Sequence, residues 1–210
     1  LKNKIVVLLF EKPSTRTRNS FEVAVLRLGG AAVYNSSAEM QLKRGEPVSD
    51  TARILGSYYD AIVARVFAQE TVEQLAEYSG ITVINGLSDL NHPTQAICDL
   101  FTIQEVKGSL DGLTLAYIGA GDNVLHSLLI SCAKAGMNVR AACPEGYMPE
   151  KELVEEAKRI ASENGRTVEI THEPRMAASG ADVLYTDVWV RMGREVEEEE
   201  LLKAFEGYRI

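Results

Sequence analysis

Short runs of β-branched and other apolar residues alternate with longer amphipathic stretches along the whole chain. The candidate strands are residues 5–10, 31–34, 61–66, 82–84, 113–118, 138–142, 167–170 and 182–186. Most of these runs are continuously apolar, which is expected of strands that are covered on both faces. The candidate helices are residues 15–28, 72–78, 93–106, 124–135 and 150–162. This alternation predicts the α/β class with parallel sheets.

A cluster of turn-forming residues at 107–112 divides the pattern. It separates the candidate helix at 93–106 from the strand that follows. We predict two parallel-sheet α/β domains, residues 1–106 and 107–210, joined by that helix. The chain has 210 residues and starts at Leu1 without an initiator methionine, so we expect it to be the central part of a longer protein with both ends truncated.

The composition excludes several classes of protein. Apolar residues make up 46% of the chain and charged residues 25%, which is typical of a globular protein and not of a disordered one. The net charge of −8 argues against a nucleic-acid partner, and the absence of an apolar run of about 18 residues argues against a membrane span. Three sparse cysteines favour a reduced compartment, so we expect a cytoplasmic location, with the mitochondrial matrix as the alternative.

The segment 10–18 lies where a predicted strand ends and a predicted helix begins. Free backbone N–H groups and the helix dipole meet at such a junction, which suits an anion. Ser14, Thr15 and Thr17 add hydroxyl donors, and Arg16 can bind two phosphate oxygens at once. For Ser14 by itself a helix N-cap is the simpler interpretation. Together, the hydroxyls and arginines predict a phosphate site.

Two other places carry candidate ligand-binding side chains. His92 and Gln95 are three residues apart at a predicted helix start, so they share one side of its first turn and suit a carbonyl or carbamoyl group. A single histidine is more often structural. Arg65 follows an apolar run, and the carboxyl end of a parallel strand is where ligands usually bind. A surface salt bridge explains Arg65 equally well.

The second half of the chain has a glycine-containing turn at 119–123, between a predicted strand and a predicted helix. Its position is typical of a dinucleotide site, but Val124 stands where the third glycine is required, so we reject that interpretation. Asp187 follows the last predicted strand. Without further information its residue type favours a turn.

Six motifs occur in the same order as in the aspartate/ornithine carbamoyltransferase family, which the chain resembles over essentially its whole length. They are STRTR at 14–18, DTAR at 50–53, ARV at 64–66, NGLSD at 85–89, HPTQ at 92–95 and TDVW at 186–189. The first and fifth motifs are shared by the whole family. The fourth, and the run at 187–193, resemble its ornithine branch.

The resemblance implies an activity and a set of residues for the first substrate. The activity is transfer of the carbamoyl group of carbamoyl phosphate to the δ-amine of L-ornithine, giving citrulline and phosphate, in arginine biosynthesis and without cofactor or metal. The residues implied for carbamoyl phosphate are Ser14, Thr15, Arg16, Thr17, Gln41, Arg65, His92 and Gln95. Of these, Arg65, His92 and Thr17 are the implied catalytic group. Gln41 lies on a loop that, in this family, reaches the active site of a neighbouring subunit in a homotrimer.

The resemblance also implies residues for the second substrate, although this part of the chain departs from the family pattern. The implied ornithine-binding residues are Asn123, Asp187, Arg191 and Met192. Asn123 would contact the α-carboxylate and Asp187 the α-ammonium group. The departures are Ala120 for aspartate, Asp122 for asparagine and Arg191 for serine. They keep two alternatives open: a carbamoyltransferase for another amine or amino acid, and a catalytically inactive homologue that acts as a binding subunit.

Overall fold

The computed structural model describes residues 1–189 and 198–210. By packing, the chain divides into two units, Leu1–Thr94 and Gln95–Ile210. Each unit contains a four-stranded sheet in which every pair of neighbouring strands is parallel. The predicted α/β class with two parallel sheets is therefore confirmed. None of the helices that the structure describes is long and apolar enough to cross a bilayer.

In the first unit the strand order is β2-β1-β3-β4. The strands are β1 (Ile5–Phe10), β2 (Ala31–Ser36), β3 (Ala61–Arg65) and β4 (Thr82–Leu87), and the helices are α1 (Arg16–Arg27), α2 (Val48–Tyr58) and α3 (Gln69–Ser79), with 3-10 turns at Ser37–Glu39 and Gln41–Arg44. Side chains of β1 alternate between two buried layers. Val7 and Leu9 pack in the layer that includes α2 and α3, whereas Leu8 and Phe10 pack in the layer that includes Val25 of α1. Both faces are covered, which explains the continuous apolar run.

In the second unit the strand order is β7-β6-β5-β8. The strands are β5 (Thr114–Ile118), β6 (Asn138–Ala142), β7 (Val168–Thr171) and β8 (Val183–Tyr185), and the helices are α5 (Asn123–Lys134), α6 (Lys151–Glu163), α7 (Pro174–Ala178) and α8 (Glu198–Ala204). One layer of the core contains Leu115 and Tyr117 with α5 and α6. The other contains Ile118 with Ala177 of α7, Leu201 of α8 and Phe205, which follows α8.

Helix α4 (Pro93–Lys107) begins at the division between the units. Its buried residues Ala96 and Ile103 belong to the core of the second unit. Packing therefore assigns this helix to the second unit, whereas the sequence prediction ended the first domain at residue 106. The sequence prediction placed the boundary at the turn-forming residues. The division by packing depends instead on which core the apolar side of the helix contacts.

Helices α2 and α7 were not predicted. In α2 the buried residues are only Thr51, Ala52 and Leu55, so its apolar stripe is too narrow to recognise in the sequence. Helix α7 is five residues long and has one buried residue, Ala177. Such short elements depend on tertiary packing, because isolated helices of this length are unstable.

Candidate active site

The predicted phosphate segment and Arg65 meet at one edge of the first sheet. In the register of β1 and β3, Phe10 lies opposite Arg65, so the segment that leaves β1 starts beside this arginine. The backbone N–H of Glu11 donates to the carbonyl of Arg65 at 2.8 Å. Because the strands are parallel, this edge is formed by their carboxyl ends, where ligands bind in open α/β sheets.

Helix α1 begins at Arg16, and residues 11–15 connect it to β1. The N–H of Thr17 donates to the hydroxyl of Ser14 at 3.2 Å, so the capping interpretation of Ser14 is correct as far as it goes. Thr15 makes no side-chain cap, and the first turn contains no acidic residue. The positive end of the helix dipole is thus not offset by a carboxylate in that turn, which favours an external anion.

Arg65 is held against this helix start. Its Nη1 donates to Oγ1 of Thr17 at 3.2 Å, whereas its Nε is buried and has no hydrogen-bond partner within residues 1–189 and 198–210. Burial lowers the pKa of Arg65, and the positive charge of Arg16 lowers it further. Arg16 is exposed and Arg65 is partly buried. Their positive charges repel each other, so an anion bound between them is stabilised.

His92 lies immediately before α4 and within electrostatic range of Arg65. Burial lowers the pKa of His92 to about 4, and the charge of Arg65 contributes to this shift. The imidazole is therefore neutral near pH 7. Its Nδ1 lies 3.5 Å from the hydroxyl of Thr94. The Thr94 hydroxyl has one proton and also lies 3.3 Å from the carbonyl oxygen of Gly86, to which it can donate instead. In the arrangement in which Thr94 donates to Nδ1, Nε2 carries the ring proton and can donate it to a carbonyl oxygen.

Polar contacts that the sequence analysis missed hold the loops at this edge. Glu11 accepts a hydrogen bond from the backbone N–H of Phe67 at 2.6 Å, which links the loops after β1 and β3. Ser88 is fully buried, and its hydroxyl donates to the side chain of Gln69 at 2.7 Å. The N–H of Asn91 in turn donates to Ser88 at 3.0 Å. In the sequence, the positions of Glu11 and Ser88 next to strand ends are a weak indication that they make such contacts.

A bulge in β4 lies beside Arg65. Ala64 pairs with Asn85 but Arg65 pairs with Leu87, so β4 has one extra residue, Gly86, at this point. A Cβ at Gly86 would lie 3.2 Å from the carbonyl oxygen of Ala64, closer than most side chains tolerate. Bulges redirect the strand that carries them. Here the redirected strand leads to the segment that ends at His92.

Arg18 and Gln41 have surroundings that differ from those of the residues around Arg65. Arg18 lies over the ring of Tyr34, 3.7 Å from its centroid, and pairs with Glu22 at 3.4 Å. Arg18 therefore packs on β2, and the arginine of the motif whose charge lowers the pKa of Arg65 is Arg16. Gln41 is exposed at the start of the second 3-10 turn.

In the second unit, the carboxyl ends of β5 and β8 bring the other predicted residues to one edge. Tyr117 pairs with Tyr185, so the turn at 119–123 and Asp187 follow neighbouring strands. The hydroxyl of Thr186 donates to the carbonyl of Ile118 at 2.7 Å and thereby links the segments that follow β5 and β8.

Asp122, one of the departures from the family pattern, caps α5. Its Oδ1 accepts from the N–H groups of Val124 at 2.9 Å and Leu125 at 3.3 Å, and the residue is only 8% exposed. The helix start stabilises this carboxylate, which reduces the repulsion expected between Asp122 and a substrate carboxylate. Asn123 is the first residue of α5 and is buried.

Several carboxylates surround Tyr185 in the second unit. Burial raises the pKa of its hydroxyl, and the charges of Asp99, Asp187 and Asp122 raise it further. Negative charge concentrated at the end of β8 suits an ammonium group. The predicted residues Arg191 and Met192 lie outside the described residues. Within residues 1–189 and 198–210, no group of three or more His, Cys, Asp or Glu side chains is arranged to hold a metal ion.

Comparison with known proteins matches both halves of the chain to one family. Residues 1–105 match the model of the aspartate/ornithine carbamoyltransferase carbamoyl-P binding domain, and residues 111–210 match that of the Asp/Orn binding domain. These matches leave most of α4 with the first domain, unlike the division by packing. The predicted domain boundaries therefore stay a prediction.

Individual relatives support the same family assignment. Ornithine carbamoyltransferase of Anoxybacillus flavithermus is 51% identical over 210 residues, which is 100% of this chain and 67% of the relative. The anabolic ornithine carbamoyltransferase of Pyrococcus furiosus is 49% identical over 100% of this chain and 67% of its own. The solved structure of ornithine carbamoyltransferase from Pyrococcus furiosus has a TM-score of 0.95 at 48% identity, covering 100% of this chain and 67% of that one. The chain thus spans about two thirds of the length of these relatives.

Proposed function

Because this chain belongs to the aspartate/ornithine carbamoyltransferase family, we propose that it transfers the carbamoyl group of carbamoyl phosphate to the δ-amine of L-ornithine. The products are citrulline and phosphate. Relatives at about 50% identity carry the name ornithine carbamoyltransferase, which supports ornithine over other amines. One observation carries the assignment: the start of α1, Arg65 and His92 occur together at the carboxyl edge of the first sheet.

The phosphate of carbamoyl phosphate binds at the start of α1. Ser14, Thr15 and Thr17 supply hydroxyl and N–H donors, and Arg16 supplies a bidentate guanidinium. The charge on phosphate increases as it leaves, so donors and cations fixed at this position stabilise the transition state more than the ground state.

The carbamoyl group is held and polarised by three side chains. Arg65 and the neutral His92 donate to its carbonyl oxygen, on which negative charge develops when the amine attacks, and Thr17 fixes Arg65. Gln95, in the first turn of α4, accepts from the carbamoyl amino group. The neutral amine attacks the carbonyl carbon, the C–O bond to phosphate breaks, and the departing phosphate takes up the proton that the amine nitrogen loses. No covalent enzyme intermediate is needed, since orientation of two bound substrates supplies much of the rate.

The second unit recognises the amino-acid end of ornithine. Asn123 at the start of α5 hydrogen-bonds the α-carboxylate, which the helix dipole also attracts. Asp187 pairs with the α-ammonium group in the acidic surroundings of Tyr185. Arg191 and the backbone of Met192 complete the proposed contacts.

A product assay with a panel of amines tests this function and its alternatives. Citrulline formation from carbamoyl phosphate and ornithine, with at least tenfold lower kcat/KM for aspartate, putrescine and acetylated ornithine, is the expected result. A preference for another amine replaces ornithine and supports the first alternative. No product with any amine, while a phosphonate analogue of carbamoyl phosphate still binds, supports the inactive binding subunit.

Asp187→Asn tests the ornithine contacts. We expect the KM for ornithine to rise about 10- to 100-fold, since hydrogen bonds to charged groups contribute about 1.5–3 kcal/mol, and the KM for carbamoyl phosphate to stay unchanged. Steady-state kinetics with each substrate varied in turn measures both. Asp182→Asn is the control, because Asp182 precedes β8 at the opposite end of the strand and accepts from the N–H of Thr114. A similar rise in both variants contradicts the assignment.

The pKa of His92 predicts a pH dependence of stability. Its folded pKa of about 4 lies below the ordinary value near 6.5, so the folded protein binds fewer protons than the unfolded chain between these values. Stability associated with neutral His92 is complete above pH 6.5 and is lost as the pH falls toward 4. Urea unfolding of wild type and His92→Gln should give a constant difference above pH 6.5 and a changing one below it. A constant difference down to pH 4 contradicts a neutral, buried imidazole.

Assembly and location complete the proposal. We propose a homotrimer in which Gln41 of one subunit contributes to the carbamoyl phosphate site of its neighbour; its exposed position is compatible with that role. Light scattering combined with mixing of inactive Arg65→Ala and Gln41→Ala subunits tests this, because shared sites regain activity on mixing. A cytoplasmic location, with the mitochondrial matrix as the alternative, is supported by Cys98, Cys132 and Cys143 all being free thiols.

A further inference from the structure

Asp99 is a half-buried acid that the proposed mechanism does not use. It lies on α4 one turn after Gln95, and its Oδ1 accepts a hydrogen bond from Nε2 of Gln95 at 2.9 Å. Its other oxygen, Oδ2, is buried, and the carboxyl group also hydrogen-bonds Tyr185. Partial burial of a carboxyl group costs free energy, so a residue of this kind calls for an explanation other than stability.

The surroundings of Asp99 add to this cost. Burial raises the pKa of its carboxyl group, and hydrogen bonding to Gln95 and Tyr185 opposes the rise. The thiol of Cys132 on α5 also lies within electrostatic range. A carboxyl group whose folded pKa is raised lowers stability at neutral pH. An apolar or amide residue at position 99 would therefore stabilise the fold or leave it unchanged.

The bond to Asp99 determines which end of the Gln95 amide is available. A side-chain amide has one donor end and one acceptor end, and rotation by 180° exchanges them. A carboxylate can only accept, so it selects the orientation in which Nε2 points at Asp99 and Oε1 points away. In that orientation Gln95 presents an acceptor to a ligand. A carbamoyl group has an amino donor at the corresponding place, whereas an acetyl group has a methyl.

We propose that Asp99 is the positioning residue that makes Gln95 an acceptor and so gives the site its preference for a carbamoyl over an acetyl group. This inference rests on the proposed function, because it assigns Gln95 to the carbamoyl amino group. Asp99 itself does not touch the substrate. It acts through the amide one helical turn away, at a cost in stability.

A matched pair of stable ligands isolates this effect from catalysis. Phosphonoacetamide and acetonylphosphonate share the phosphonate and the carbonyl group and differ only in an amino against a methyl group. Calorimetric titration of the protein with each gives an amide preference, the ratio of the two dissociation constants. Since a net hydrogen bond contributes about 0.5–1.5 kcal/mol, Asp99→Leu should reduce this preference about 3- to 10-fold. Asp99→Asn should reduce it less, because asparagine can still accept from Nε2 in one of its two orientations.

Three further measurements decide between positioning and a structural role. Acetonylphosphonate affinity should change less than twofold in both variants, and the free energy of unfolding should be equal to or higher than that of wild type. In a Gln95→Ala background, Asp99→Leu should change the preference no further. Glu70→Gln is the matched control, because Glu70 is an exposed residue of α3 that accepts from Nε2 of Gln74 at 2.9 Å, four residues away on the same helix.

The outcomes separate this inference from the proposed function. Three results would overturn the positioning role. They are an unchanged amide preference in Asp99→Leu, an equal loss of affinity for both ligands, and a loss of unfolding free energy that accompanies the loss of preference. Absence of carbamoyl transfer by the wild-type protein overturns the proposed function. The ratio of the two dissociation constants still reports the orientation of Gln95 in that case. A preference that falls in Asp99→Leu but not in Glu70→Gln supports the inference.

Discussion

Arg65→Ala is expected to lower kcat/KM by about 10²- to 10³-fold, the usual cost of removing one donor to a developing oxyanion, with little loss of stability. In the proposed mechanism the guanidinium donates to the carbonyl oxygen, on which negative charge develops. Its Nε is buried without a hydrogen-bond partner among the described residues, and the charge of Arg16 acts on it. Removing a repelled, partly desolvated charge therefore offsets the loss of its contact with Thr17.

Steady-state kinetics and urea unfolding on the same preparation measure the two effects. Arg53→Ala is the control: Arg53 is an exposed arginine that pairs with Asp50 at 3.0 Å and lies over the ring of Tyr78. We expect that variant to retain turnover within about twofold of wild type, because exposed ion pairs contribute about 0–1 kcal/mol. Near-normal turnover in Arg65→Ala would contradict the proposed mechanism. A loss of stability as large as the loss of activity would make Arg65 a structural residue.

Gly121→Ala is expected to destabilise the protein by about 3 kcal/mol, the upper end for overpacking of a rigid site. A Cβ at this position would overlap the backbone of Met148 and Pro149, which cannot move aside as a flexible side chain does. The N–H of Gly121 also donates to the carbonyl of Tyr147 at 2.7 Å, so the two loops are fastened together. The displaced turn carries Asn123, so the KM for ornithine should rise as well.

Gly146→Ala provides the comparison for this prediction. Gly146 has a positive φ of 80°, but a Cβ there would meet nothing within 4 Å. Alanine at 146 should therefore cost only the conformational penalty of about 1 kcal/mol, with no effect on the KM for ornithine. Urea unfolding and ornithine kinetics on both variants test the difference. Equal destabilisation would mean that the close approach of the two loops is not rigid.

Much of the fold followed from patterns that depend on local physics. Continuous apolar runs such as 5–10 predict strands buried on both faces, and the two layers that Val7 and Leu8 enter confirm this. The STRTR and HPTQ motifs indicated the family because their residue types and spacing are constrained by the chemistry of binding a phosphate and a carbonyl group. Helix α2 was missed, since its narrow apolar stripe is recognisable only when α3 packs against it.

Other features depend on contacts between residues far apart in sequence. The sequence left Arg65 open between a salt bridge and a ligand-binding role, and only the register of β1 and β3 brings it to Thr17, 48 residues away. The sequence shows Asp122 only as a departure from the family pattern, and the structure shows that it caps α5.

The sequence by itself determined the fold class, the family and the candidate residues, because periodicity and motif spacing are local properties of the chain. The tertiary structure decided which charges are desolvated and why Gly86 and Gly121 have no side chain. Those properties arise from burial and from distances between separate elements. They come into existence only when the parallel strands place their carboxyl ends side by side.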